Sequence, residues 1–270
     1  MKCKTVFTDV VVDAGYYKKY YLEDYYDPTS ATDNVVARAV LGWVDFLGHW
    51  RRMRTIKKFA QKGKKLLEIG CGRGAFLARL PKYFEKYGVE INDDGVSYIK
   101  AHYPDVTVYG EKIDLPGFSG NRKYDVIIMW HVLEHIDDPN SFFQALRGLL
   151  APNGVFICDI PNRDSLGFTI TKSNWFHLDT PRHLFFYNYT SLRALLKRHQ
   201  LEIISFSADP YYYFHDLSAS FYGKFKCNNR FINRALFILI VPPMLVVRFI
   251  ISILLPRKAE INTYVIAHSN

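Results

Sequence analysis

The chain has 270 residues, 49% of them hydrophobic and 16% aromatic, enough to bury the core of one domain with embellishments and too few for two full domains. A formal charge of +9 favours polyanionic partners, either nucleic acid or an anionic membrane surface, without choosing between them. Cys3, Cys71, Cys158 and Cys227 are too scattered for a zinc site, so reduced thiols in the cytoplasm are expected and no disulfide.

Residues 1–62 read as an N-terminal arm and helices. Asp9 and Asp13 interrupt the first apolar run, which argues against a secretory signal. Six tyrosines lie between Tyr16 and Tyr26 among Lys18, Lys19, Glu23 and Asp24; this predicts an amphipathic helix resting on the domain, or a lid. Residues 35–60 place Trp43, Phe46, Leu47, Trp50 and Met53 at helical spacing beside Arg51, Arg52, Arg54, Lys57 and Lys58. A helix leading into a sheet is expected, with a basic face that is ordinarily just solvated.

Residues 63–270 read as the main domain. Residues 65–77 form an apolar run, then Glu68-Ile69-Gly70-Cys71-Gly72-Arg73-Gly74, then Ala75-Phe76-Leu77, the pattern of strand, glycine turn and helix. Alternate glycines let a ligand lie against the backbone, and the following helix offers unpaired N–H groups. Gly70, Gly72 and Ala75 also satisfy the dinucleotide pattern, so a nicotinamide or flavin cofactor fits this turn alone. Glu68 tilts the choice toward a cationic ligand, because its charge would repel a pyrophosphate. Glu90, about twenty residues on, is placed to accept hydrogen bonds from ribose hydroxyls.

From there the chain alternates in a βαβ rhythm: a helix from about 75, strand 87–91, helix 94–102, strand 106–109, strand 125–130, helix 141–150 and strand 155–160. A parallel sheet is the economical answer. Residues 162–188, rich in aromatics, histidines and prolines, read as a substrate loop. A helix over 191–199 and strands over 201–207 and 261–267 follow. Between them, an insert at 231–256 contains an apolar stretch, 235–255, interrupted by Pro242-Pro243 and Arg248. The proline pair is expected to break this stretch into two pieces too short to cross a bilayer. If 261–267 pairs with 201–207, the insert leaves and returns on one side. It is then a monotopic dip or helical hairpin, or an apolar cap on the domain or a second subunit.

The turn Glu68-x-Gly70-x-Gly72-x-Gly74 resembles motif I of the class I S-adenosylmethionine-dependent methyltransferases. His131-Val132-Leu133-Glu134-His135-Ile136-Asp137-Asp138-Pro139 is similar to the V-L-E-H-x-x-D-P signature of the branch that includes ubiquinone-biosynthesis O-methyltransferases and bacterial envelope enzymes. Pro161-Asn162, Trp175 and Pro181-Arg182-His183-Leu184 continue the likeness, which covers roughly 65–200 and the last strand. It implies an α/β fold with a Rossmann-like, doubly wound, seven-stranded sheet whose last strand is antiparallel. It also implies an S-adenosyl-L-methionine site made by Glu68, Gly70, Cys71, Gly72, Gly74, Glu90, Ile91 and His131, with Glu111 or Asp114 at the adenine.

Methyl transfer needs a proton removed from the acceptor, and His135 and His183 are the expected catalytic residues, histidines near neutrality being suited to that task. His131, Glu134, His135 and His183 also resemble the Glu-x-x-Glu-His metal site of the plant small-RNA 2′-O-methyltransferase. His131 stands in place of the first glutamate, which removes a hard oxygen ligand, and no metal is assigned. The expected reaction is O-methylation of a small-molecule or lipid-linked acceptor, such as a quinone head group or a lipid-linked sugar, by a cytoplasmic enzyme in peripheral contact with the membrane through 235–255. No nucleic-acid partner is expected. The alternatives are an NAD-dependent Rossmann oxidoreductase and a non-catalytic S-adenosylmethionine-binding membrane scaffold.

Overall fold

A computed structural model describes residues 5–12, 16–20, 35–60, 65–110 and 122–269. The chain runs β1 (Val6–Phe7), α1 (Tyr16–Tyr20), α2 (Val35–Phe59), β2 (Lys65–Ile69), α3 (Ala75–Arg79), β3 (Glu85–Val89), α4 (Asp93–His102) and β4 (Val106–Tyr109). It continues through β5 (Tyr124–Trp130), α5 (Pro139–Leu149), β6 (Leu150–Pro161), α6 (Leu166–Thr171), β7 (Phe185–Phe186), α7 (Tyr189–Arg198) and β8 (Leu201–Ala208). The helices α8 (Asp216–Phe225) and α9 (Arg230–Leu254) precede β9 (Ile261–His268).

Seven strands form one sheet in the order β4-β3-β2-β5-β6-β9-β8, and β1 pairs with β7 in a separate ribbon. β9 is antiparallel to both of its neighbours, while β2, β3, β4, β5 and β6 are mutually parallel. The expected doubly wound sheet with an antiparallel last strand is therefore present. Consecutive apolar residues make the central strands: successive side chains point to opposite faces, so an unbroken apolar run suits a strand covered on both. Leu66, Val126 and Ile128 pack with Met53 and Ile56 of α2, Leu77 of α3 and Ile99 of α4. Leu67, Ile127 and Met129 pack on the other face with Phe142, Phe143 and Leu146 of α5 and Leu192 and Leu196 of α7.

Polar side chains cap the helix starts. The Asn92 side chain accepts from the N–H groups of Asp94 and Gly95, and Asp138 accepts from those of Asn140 and Ser141. Asn188 and Ser191 form a reciprocal capping box before α7, satisfying N–H groups that the helix leaves unpaired. The strand expected at 87–91 lies two residues earlier, because Glu90 and Ile91 have already left the ladder. The 162–188 segment is less irregular than expected, containing α6 and β7. Its anchor is Glu260, which accepts from the Gly167 N–H at 2.8 Å and the Trp175 indole N–H at 2.7 Å.

The expectation that Pro242-Pro243 splits the apolar stretch is corrected: both prolines lie inside the continuous 25-residue helix α9. An interior proline removes a helix hydrogen bond and its ring crowds the preceding turn, yet the helix runs on through both. The hairpin is formed instead by α8 and α9. Asp216 at the start of α8 meets Arg248 late in α9, and Tyr222 meets Phe237, so the two run antiparallel. Because Ala208 pairs with Asn262, the hairpin leaves and re-enters the domain at the carboxyl edge of β8.

Arg248, 2% exposed, fastens this hairpin. Its guanidinium donates to the Asp216 carboxylate at 2.5 and 3.1 Å and to the carbonyls of Pro210 and Tyr212, both at 2.6 Å. His177 Nε2 lies 3.0 Å from the same carboxylate. Removing one member of a buried pair strands the other. Arg248→Ala should therefore cost about 3 kcal/mol in urea unfolding, whereas Leu239→Ala, on the exposed face of α9, should cost under about 0.5 kcal/mol.

Candidate cofactor and acceptor site

The chain leaves β2 toward β3 and β4 on one side, and leaves β5 toward β6 on the other. This order reversal opens a crevice at the carboxyl ends of β2 and β5, where ligands bind in open α/β sheets. Gly70, Gly72 and Gly74 all have positive φ. At Gly70 (φ 70°) an added Cβ would come within 2.6 Å of the Val132 Cγ2, so the glycine turn and the 131–139 segment are in close contact there. The Glu90 carboxylate accepts from the Gly72 N–H at 2.7 Å and the Asn92 N–H at 2.9 Å. It braces the turn and has further lone pairs for ribose hydroxyls. Ile91 is half exposed beside it. Cys71 offers the crevice its backbone only, since its side chain belongs to the apolar cluster with Leu66 and Leu77. Glu111 and Asp114 lie outside the described residues.

Around the crevice, buried polar atoms lack hydrogen-bond partners among the described residues: Glu68 Oε2, Arg52 Nη2, Trp130 Nε1, His131 Nε2 and both Glu134 oxygens. Native interiors pair nearly all such atoms, so a cluster of orphans marks a place built for a ligand. They are contiguous. The Arg52 guanidinium lies over the rings of Trp130 at 4.5 Å and Tyr212 at 4.2 Å, and Tyr212 stacks on His131 at 4.7 Å. Arg52 itself is held by Asp159 at 2.9 Å. Burial pushes the Glu68 carboxyl up to about 8 while Arg52 opposes the shift, so the negative charge expected from the sequence is disfavoured by desolvation in the ligand-free crevice and favoured beside a cation.

Behind this lies a second group. His131, with φ 55°, sits at the exit of β5, its Nδ1 3.7 Å from Glu134 Oε1. His183 Nε2 is 4.0 Å from the same oxygen. The His135 Nδ1–H donates to the Arg182 carbonyl at 2.8 Å and the His183 Nδ1–H to the His177 carbonyl at 2.7 Å, an assignment of tautomer made from these carbonyl partners. Both Nε2 atoms are thereby left as acceptors. The two rings meet edge to face at 4.7 Å. Burial lowers His135 to about 4 and holds His183 and His131 well below 6.5. The expectation of histidines poised near neutrality is thus corrected: both candidates are neutral imidazoles and weak bases. Burial raises Glu134 instead, to about 8.

A sequence profile described as "Methyltransferase domain" matches residues 49–206, more than half of the chain. The chain belongs to that methyltransferase-domain family. It is 30% identical over 103 residues to a probable S-adenosylmethionine-dependent methyltransferase of Mycolicibacterium smegmatis, covering 37% of this chain and 39% of that one. It is 30% identical over 125 residues to a ubiquinone biosynthesis O-methyltransferase of Cereibacter sphaeroides, covering 42% and 49%. The chain thus spans less than half the length of these curated relatives. Among solved structures, the O-methyltransferase of a Brevibacillus brevis trans-AT PKS multienzyme, in complex with S-adenosyl-L-homocysteine, matches with a TM-score of 0.53 at 16% identity, over 82% of this chain and 72% of that one. This last likeness shows the fold. The α8–α9 hairpin lies beyond the residues 49–206 that the profile matches.

Within this methyltransferase domain, Glu134 is the residue that the sequence reading undervalued, treating it only as one member of a metal quartet. The available signal was an acid flanked by metal-competent histidines just after a buried strand. Glu134, His135 and His183 bring their ligand atoms within 4.8 Å of one another. Two imidazoles oriented by backbone carbonyls and one unpartnered carboxylate make a donor set that fits a divalent transition ion; His131 is not part of it.

The raised carboxyls give stability a definite pH dependence. Up to about pH 8 the folded chain keeps protons on Glu68 and Glu134, and Glu260, raised to about 7, acts likewise up to its own titration. The unfolded chain has already released these protons, so stability falls as pH rises. The depressed histidines oppose this only below their ordinary 6.5. Ligand-free protein should therefore melt several degrees lower at about pH 8.5 than at pH 6.5, and the combined Glu68→Gln, Glu134→Gln variant should flatten that slope.

Proposed function

We propose that the protein is an S-adenosylmethionine-dependent methyltransferase acting on an oxygen of a small, membrane-associated acceptor such as a quinone head group or a lipid-linked sugar. The observation that carries this is the unpartnered Glu134 carboxyl set between His135 and His183, one residue layer from a glycine turn. Transfer moves CH₃ from a sulfonium to the acceptor oxygen: one C–S bond breaks as a C–O bond forms, and the acceptor's proton must leave. The His183 Nε2 can accept a hydrogen bond from the acceptor hydroxyl and align it, which is the larger part of catalysis in an in-line displacement. Glu134 takes the proton in its ionised form, which burial makes the minor form below its raised titration at about 8, so transfer should rise with pH through that range. The adenosine part of the donor lies against Gly70, Gly72 and Glu90, and its cationic end toward Glu68.

Membrane association is supported by the hairpin. Phe231 (83% exposed), Leu239 (70%) and Leu254 (69%) sit on a helix long and apolar enough to cross a bilayer by length and composition. The other leg, α8, has 10 residues and reaches only about 15 Å. A hairpin with one such leg dips into a single leaflet. An oxidoreductase reading is disfavoured because antiparallel β9, lying between β6 and β8, stands where a second parallel dinucleotide half would be. One second reading has a specific observation behind it: the same three residues hold a divalent ion that binds the acceptor oxygen and lowers its pKa.

Incubation with labelled S-adenosylmethionine and separated lipid, glycan and RNA fractions tests the assignment. Label should enter the lipid fraction; label in RNA would overturn the acceptor class, and donor binding with no transfer anywhere would leave a scaffold. Glu134→Ala should reduce transfer roughly 100-fold while leaving donor affinity by calorimetry intact. Gly70→Ala should abolish donor binding itself, because the added methyl meets Val132. Metal analysis of purified wild type against Glu134→Ala and His183→Ala decides the second reading: an ion retained by the first and lost from both variants supports it.

A further inference from the structure

α2 carries a stripe at spacings of three and four residues: Trp43 (68% exposed), Phe46 (56%) and Trp50 (49%), followed by Arg54 and Lys58, both exposed. Residues so spaced share one helix face. The stripe is thus aromatic over its first half and basic over its second, with the Arg54 guanidinium 5.4 Å from the Trp50 ring. Its basic half faces a cleft of about 370 Å³ walled by Trp50, Arg54, Thr55 and Lys58 on one side and by Tyr211 and Ile253 on the other. No carboxylate is among the lining residues. Arg51 at the cleft is already held, donating to Asp209 at 3.0 Å, Ala208 O at 2.8 Å and Thr263 Oγ1 at 2.5 Å. Arg54 and Lys58 are the cations that face outward.

The second wall is Ala208, Pro210 and Tyr211 together with Ser252 and Ile253 near the end of α9. Ile253 is 59% exposed, and Phe249, Ile250 and Leu254 of the same helix stretch are exposed beyond the cleft. A ligand in the cleft therefore meets two cations on one side and Ile253 on the other, from which the exposed apolar face of α9 continues. That pairing matches a molecule with an anionic head and hydrocarbon tails. A soluble phosphate would use the first wall alone, and an acidic protein segment would have no use for the second. Exposed tryptophans at the border between the two are typical of the level of the bilayer head groups.

We propose that this cleft binds the phosphate of an anionic membrane phospholipid, so that α2 and α9 rest together on a negatively charged leaflet. This rests on the reading that the α8–α9 hairpin seats in a membrane. It adds a head-group preference, located in α2, which the hairpin alone does not supply.

The test uses full-length protein with vesicles of pure phosphatidylcholine and of phosphatidylcholine mixed with phosphatidylglycerol, scored by co-sedimentation. Wild type should prefer the anionic vesicles, and the Arg54→Gln, Lys58→Gln variant should lose most of that preference, on the order of tenfold in affinity, while binding S-adenosylmethionine unchanged. Residual binding to both vesicle types should persist in the variant through the hairpin. Equal binding of wild type to both compositions, or a variant that keeps the full preference, would overturn the head-group assignment and leave the seated hairpin standing. Failure of wild type to bind any vesicle would overturn both. Saturable calorimetric binding of inorganic phosphate that disappears in the variant would reassign the cleft to a free anion, and overturn the proposal.

Discussion

Two parallel neighbours, β2 and β5, send their chains away in opposite directions, and the gap this leaves at their carboxyl ends is the constraint on which the rest of the structure depends. Helices cover the two faces of the sheet but not this edge. Gly70 fits there because it has no side chain to strike Val132, and Arg52 reaches over from α2, secured by Asp159. The atoms left facing inward, on Glu68, Trp130, His131 and Glu134, have no hydrogen-bond partner among the described residues. Each such buried group disfavours the empty fold by about 1–3 kcal/mol. A bound donor and acceptor would satisfy them, so the cost of keeping the site empty is part of what makes occupation favourable.

Much of the scaffold was readable because its physics is local. Leu66-Leu67 and Val126-Ile127-Ile128-Met129 state by composition that both sides of the strand are covered. The glycine turn was read as a ligand site from its alternate glycines, and the 131–139 segment from its resemblance to a methyltransferase signature. What burial does to a titrating group is not local. Glu68 was read as a charge, which burial disfavours; His135 and His183 were read as near-neutral bases, and burial lowers both. Nothing in the residues themselves says how much protein surrounds them, and desolvation by that surrounding is the largest cause in all three.

The basic cluster of α2 shows the same limit differently. Read from sequence it is one charged face, but the fold divides it. Arg51 and Arg52 turn inward to Asp209 and Asp159 and tie the helix to the far half of the sheet, while Arg54 and Lys58 turn outward. The partners of the inward pair lie more than a hundred residues away, beyond the reach of any periodicity argument. Similarly, Pro242-Pro243 looked like a break because proline opposes helix locally, yet Arg248, anchored on Asp216 and two carbonyls, and the turns around the prolines hold α9 in one piece.

The placement of β9 has a consequence for how this chain is made. It lies between β6 and β8, yet the ribosome releases it after both, and after the apolar helices that precede it. Until it arrives, β6 and β8 each present a row of unpaired amides and carbonyls, while a long greasy segment is already in the open. Nascent chains in that condition are prone to wrong partners. Early capture of the hairpin by a lipid surface or a chaperone would shorten the dangerous interval, so yield of folded protein in a cell should be set as much by what meets α9 during synthesis as by the stability of the finished sheet.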